Sequence, residues 1–145
     1  MSDTHDFNDG NGLVPAHRHR NGGGWIADTA KVDDTAYIGP DAKVFGNAKI
    51  FGNAKVFGNA KVFGNATIGG NAWISGNAQV DRFAQIFGNA EVYGDAKISG
   101  SAQVFDNARV CGDAQIGGHA KVLNNAKVYG DSHWYGDAPI YGAKA

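Results

Sequence analysis

The stretch Val44-Phe-Gly-Asn-Ala-Lys-Ile50-Phe-Gly-Asn-Ala-Lys-Val56-Phe-Gly-Asn-Ala-Lys-Val62-Phe-Gly-Asn-Ala66 is one six-residue unit written nearly four times. Stepping outward from it in sixes, positions 26 to 140 hold Ile or Val in nineteen of twenty cases, with Trp134 the exception. Ala stands two residues earlier in eighteen of nineteen units between positions 30 and 138, and Ser132 replaces it once. No insertion shifts the phase, so the period belongs to the whole segment.

Residues two apart on an extended chain point to the same side, so Ala and Ile/Val share one face and their neighbours take the other. The second and third positions after the aliphatic residue are Gly in fourteen of twenty units and Asn or Asp in fourteen of twenty, respectively. Those residues tolerate the positive φ of a sharp corner. Each hexad therefore reads as a short strand and a corner. One unit alone cannot bury its aliphatic residue, whereas stacked units can. The expected fold class is all-β, with the repeat over residues 26–145 and a separate segment over residues 1–25.

The polar residues 1–12 are expected to be mobile. Leu13-Val14-Pro15 and Trp25 are expected to cap the first coil. At the other end Ser132, Trp134 and Pro139 depart from the repeat together, which suggests a second cap over exposed strand edges.

Composition narrows the function. A formal net charge of −1, from 13 basic and 14 acidic residues, lacks the positive field that nucleic-acid binding requires. A single cysteine, Cys111, excludes an intrachain disulfide. No apolar run approaches the roughly 20 residues of a membrane span. Residues 1–12 lack the apolar centre of a secretory signal. The expectation is a cytoplasmic or virion-associated protein with no nucleic-acid or membrane partner.

With these hexads, as in Val44-Phe-Gly-Asn-Ala48-Lys, the chain resembles the hexapeptide-repeat superfamily of left-handed β-helices. The resemblance covers residues 26–145. It implies three hexads per coil and a single-stranded, left-handed parallel β-helix (a β-solenoid) of about 6.7 coils. Periodicity shows neither the coil size nor the hand, and left-handed crossovers run against the usual rule. The Gly-Asn-Ala wording and the opening Gly22-Gly-Gly-Trp-Ile-Ala are similar to repeat proteins of phage and prophage genomes. Two departures stand out. Phe or Tyr often follows the aliphatic residue, where the superfamily usually has Gly, Ala, Asp or Glu. No loop interrupts the hexads, whereas the superfamily's acyltransferases extrude one from a coil.

Eighteen residues per coil would stack positions eighteen apart into columns on the outer faces. One column is Asp33, Phe51, Gly69, Phe87, Phe105, Leu123 and Tyr141. A second is Gly39, Phe57, Ser75, Tyr93, Cys111 and Tyr129, beside Tyr37, Lys55, Trp73, Glu91, Arg109 and Lys127. A third is Phe45, Phe63, Asp81, Ser99, Gly117 and Tyr135. Aromatic neighbours across strands stabilise a stack by about 0.2–1 kcal/mol each. A dozen of them outside also make apolar patches larger than a monomer normally shows. The candidate binding or interface residues are therefore Phe51, Phe87, Phe105 and Tyr141 on one face. Phe57, Trp73, Tyr93 and Tyr129 are the candidates on the next. The corner Arg82-Phe83, which replaces Gly-Asn, is a candidate contact point. Homo-oligomers are expected, a trimer above all, and a protein or carbohydrate partner is the alternative use of the same faces.

Catalytic signals are thin. Ser101, His119 and Asp137 fall in one corner column and have the residue types of a nucleophile, base and orienter, but a corner is convex and offers no oxyanion hole. The superfamily's acyltransfer chemistry implies a histidine at a subunit cleft, for which His119 and His133 are the solenoid candidates. Their spacing is a poor metal signature. His17-Arg-His-Arg20 reads as a solvated basic segment. No cofactor, metal or catalytic residue is assigned. The expected function is a non-enzymatic scaffold or binding module, with an acyltransferase-like enzyme as the alternative.

Overall fold

Each Ala-x-Ile/Val unit forms a two-residue strand such as Lys55–Val56, whose apolar residue turns inward and whose neighbours turn out. The computed structural model describes residues 3–144. Among them the strands form three sheets, one of nine strands and two of seven. Sheet A contains Lys43–Val44, Lys61–Val62 and Gln79–Val80; sheet B contains Lys49–Ile50 and Thr67–Ile68; sheet C contains Lys55–Val56 and Trp73–Ile74. The chain visits A, B and C in turn, and each strand pairs in parallel with the one eighteen residues on: Val44 with Val62, Ile50 with Ile68, Val56 with Ile74. This is a parallel β-solenoid with three hexads per coil.

The core is a column of Ile/Val and Ala side chains from all three sheets, continuous from Ile26 to Val128 with Ile140 beyond. Full burial of each Ile or Val stabilises the fold by about 1.5–3 kcal/mol. Coil-to-coil hydrogen bonds continue through the corners, as Asn59 N–H donates to Gly76 C=O at 2.8 Å. Gly76 has φ +64°, and a Cβ there would lie 2.9 Å from the backbone N and O of Gly94. Only a residue without a side chain fits that stacked corner easily. Where the repeat breaks, Arg82, Asp106 and Asn124 keep the same left-handed conformation, with φ of 57°, 58° and 56°.

The N-terminal segment differs from its expected form. Instead of a mobile arm, β1 (Asp3–Asp6) and β2 (Leu13–Arg18) form an antiparallel hairpin, and β2 pairs antiparallel with β3 (Trp25–Ala27), the first coil strand of sheet A. Polar composition does not forbid a strand when a sheet edge supplies partners for its backbone. The expected Leu13-Val14-Pro15 plug is also corrected. Leu13 is 71% exposed, and Val14 packs on the outside of sheet A. The segment after β2 covers the first coil instead. His19 is buried with Nε2 2.8 Å from Ala36 C=O, and Gly24 N–H donates to Ile38 C=O at 2.9 Å. Trp25 likewise lies outside, stacked on His5. At the far end Trp134 packs against the core and Ser132 is buried, its hydroxyl donating to Tyr129 C=O. Pro139 lies in the last strand of sheet B.

Candidate functional site

The outward positions of the three sheets give three aromatic tracks with different fates. On sheet A, Phe45 and Phe63 stack in parallel at 4.8 Å between ring centroids. Phe7, just beyond β1, adds a third ring 4.8 Å from Phe45. Val14, Ala16, Trp25 and Ala27 pack around them. Phe7 is left 1% exposed and Phe45 5%. The track ends at Asp81, whose carboxyl is held above its ordinary range by burial, with Arg82 opposing.

On sheet B nothing covers the rings among the described residues. Phe87 and Phe105 stack at 5.4 Å, and Phe87 remains 39% exposed. Phe51 lies over Gly69, where a Cβ would meet its ring at 2.8 Å. Tyr141 continues the strip and is exposed. The strip is thus interrupted at Gly69 by a residue that makes room for its neighbour.

Sheet C carries Tyr37, Phe57, Trp73, Tyr93 and Tyr129. Trp73, Tyr93 and Tyr129 are exposed. Phe57 meets Trp73 edge to face at 5.9 Å, and Lys55 Nζ sits 5.2 Å from the Trp73 ring centre. Glu91 and Arg109 pair directly across strands and form an ion pair of 3.1 Å. A bond to the Cys111 thiol, and then burial, push the Tyr93 phenol above its ordinary range. Near the N-terminal end this face opens into a shallow groove of about 790 Å³ lined by Asn21, Thr35, Tyr37, Asn53, Lys55, Phe57 and Trp73.

The remaining candidates separate. Arg82 and Phe83 stand exposed at the corner between sheets A and B. Ser101, His119 and Asp137 follow one another along a corner, but no hydrogen bond joins their side chains among the described residues. The basic segment is not simply solvated: His17 Nδ1 lies 2.7 Å from Asp28, Arg18 covers the Trp25 ring at 4.6 Å, and Arg20 pairs with Asp34 at 3.3 Å.

A family model described as the YdcK beta solenoid repeat matches residues 102–118, about one coil. The chain is a β-solenoid repeat protein. No curated protein and no solved structure gives a significant match. Column stacking placed Tyr37, Lys55 and Trp73 together from the sequence. It missed Phe7 and Asn21, which lie outside the repeat, so no period points to them.

Proposed function

We propose that this protein is a non-enzymatic β-solenoid scaffold that binds through the aromatic faces of sheets B and C, with a second copy of itself on the sheet B strip. One observation carries this reading: the chain covers the aromatic track of sheet A with its own hairpin and leaves those of B and C bare. Aromatic side chains still 37–57% exposed favour association once they meet a matching strip, at roughly 25 cal/mol per Å² before association costs. Straight tracks repeated coil by coil match one another, which supports a closed homo-oligomer, and the resemblance to the hexapeptide-repeat superfamily, whose members are often trimers, favours a trimer. The phage-like wording of the repeat favours a virion as its setting.

The test is the mass in solution, by light scattering, of Phe87→Ser with Phe105→Ser. Both side chains point outward, so the coil persists while assembly weakens by at least tenfold in dissociation constant. A wild type that is monomeric at all accessible concentrations would end the self-assembly reading.

A further inference from the structure

Building on the reading that the bare faces bind partners, we propose that the groove at the head of sheet C is a site for an acidic saccharide, a pyranose bearing a carboxylate. Tyr37 and Trp73 occupy one outward column two coils apart, about 9.6 Å from the usual strand spacing, with Lys55 between them. Phe57 lies beside Lys55 in the adjoining column, edge-on to Trp73. Its neighbour in that column is Gly39, which adds no side chain to crowd the rings: a Cβ there would come 3.1 Å from the Phe57 Cβ and 3.6 Å from the Tyr37 ring. Three rings around a recess offer the flat apolar surface on which the C–H face of a sugar packs.

The rim supplies the polar half. Along the corner between sheets B and C, carboxamides bond in a ladder: Asn71 to Asn89, Asn89 to Asn107, Asn107 to Asn125. The ladder stops short of Asn53, whose carboxamide makes no hydrogen bond among the described residues and faces the groove. A free amide provides a donor and an acceptor together, the pair that a sugar hydroxyl uses. Asn21 closes the N-terminal side, fixed there because its carbonyl accepts from Ile38 N–H at 3.0 Å.

Charge selects among sugars. Lys55 has no carboxylate partner among the described residues. The nearest acid along its column, Glu91, is engaged by Arg109, and Arg20 at the rim side is engaged by Asp34. The groove therefore holds one unneutralised cation beside an aromatic surface, which suits a single carboxylate. A nucleotide would stack equally well, but its phosphate calls for several converging donors and here there is one cation.

The experiment is an NMR titration of the full-length, ¹⁵N-labelled protein. The ligands are the galacturonate trimer and 3′-sialyllactose, with the methyl-esterified trimer and lactose as uncharged counterparts and adenosine monophosphate as the rival. Saturable shifts of the Trp73 indole and the Asn53 carboxamide are expected with at least one acidic sugar, and binding about tenfold weaker with its uncharged counterpart. Trp73→Ala should lose about tenfold in affinity, and Lys55→Gln should erase the preference for the acid. The Phe87→Ser, Phe105→Ser protein should bind the sugar as the wild type does, so failure of self-assembly and failure of this site are read separately. No saturable shift with either acidic sugar, equal affinity for the uncharged forms, or a response to the nucleotide alone would each overturn the proposal. So would a site that opens only when assembly is broken.

Discussion

Phe45 on sheet A and Phe51 on sheet B stand six residues apart in nearly identical hexads, Val44-Phe-Gly-Asn and Ile50-Phe-Gly-Asn, yet one is buried and the other bare. The hexad itself cannot account for the difference, and the column neighbours, Phe63 beside Phe45 and Gly69 beside Phe51, do so only in part. The hairpin does. Strand β2 extends sheet A past its first coil, which brings Phe7 onto Phe45 and through it onto Phe63. A periodic sequence thus fixes which side chains point outward, and the aperiodic segment decides which of them meet water. The bare faces are then surfaces without a cover among the described residues, which is the physical basis for giving them a partner.

The comparison breaks most sharply if equal residues prove to have equal worth. Phe45→Ala should destabilise the protein by about 3 kcal/mol, since it opens a cavity under Phe7. Phe87→Ala, made in the same register on sheet B, should cost less than about 1 kcal/mol in the dissociated chain, because half-exposed rings lose little on truncation. Urea unfolding below the assembly concentration measures both. Equal costs would mean that the hairpin does not hold its place on Phe45.

A second effect, smaller and reversible, tests the cover itself. His5 stacks on Trp25 at 4.6 Å and meets Phe7 edge-on at 4.7 Å, with its Nε2 enclosed and lacking a hydrogen-bond partner. Burial lowers its pKa, with Lys43 and then Arg18 adding to the effect and Asp6 opposing it. A base whose folded pKa lies below its unfolded value stabilises the fold above that unfolded value. The stability begins to fall as pH drops below the ordinary histidine value near 6.5 and is lost as pH passes through the lowered folded pKa. Hydrogen-exchange protection factors in β1 and β2, which correct for the slower intrinsic exchange in acid, should therefore fall on acidification, while those of the coils from Val62 onward hold. His5→Phe should remove that dependence. Uniform loosening of hairpin and coils would show that the cover is not a separate unit.

How much of this was legible follows the same division. The hexads disclosed the strands, the inward Ile/Val and Ala, the corners and the outward columns, because each is a direct consequence of alternation and period. The Glu91–Arg109 pair followed from spacing alone. The hairpin did not, since Thr4, His5 and Asp6 form a strand only through pairing with Leu13, Val14 and Pro15, and its local signal, the turn pairs Asp9-Gly10 and Asn11-Gly12, lies in a connection longer than the two-residue loop that makes such a pair decisive. Likewise Leu13-Val14-Pro15 looked like a plug because it is apolar, whereas its strand geometry leaves Leu13 in water. The groove was half legible: Tyr37, Lys55 and Trp73 share a column, but Asn21 joins them only through the fold of the N-terminal segment.

The smallest expected effect lies where the covered track ends. Asp81 is the residue after Phe63 in the sheet A column, half-buried, and its carboxyl is raised by burial despite Arg82 beside it. An acid whose folded pKa exceeds its unfolded value stabilises the fold most when protonated, below the ordinary carboxylate range. That contribution disappears as pH rises through the folded pKa, so at neutral pH the charge opposes folding. Asp81→Asn keeps the shape and removes the charge. It should raise stability at pH 7 by no more than about 0.5 kcal/mol, given the remaining exposure, and change nothing near pH 3. Thermal unfolding at the two pH values distinguishes this from a simple packing gain, which would persist in acid. A loss at pH 7 would instead mean that the ionised carboxylate holds Arg82 in its left-handed corner, and that the aromatic track ends on a contact the fold needs.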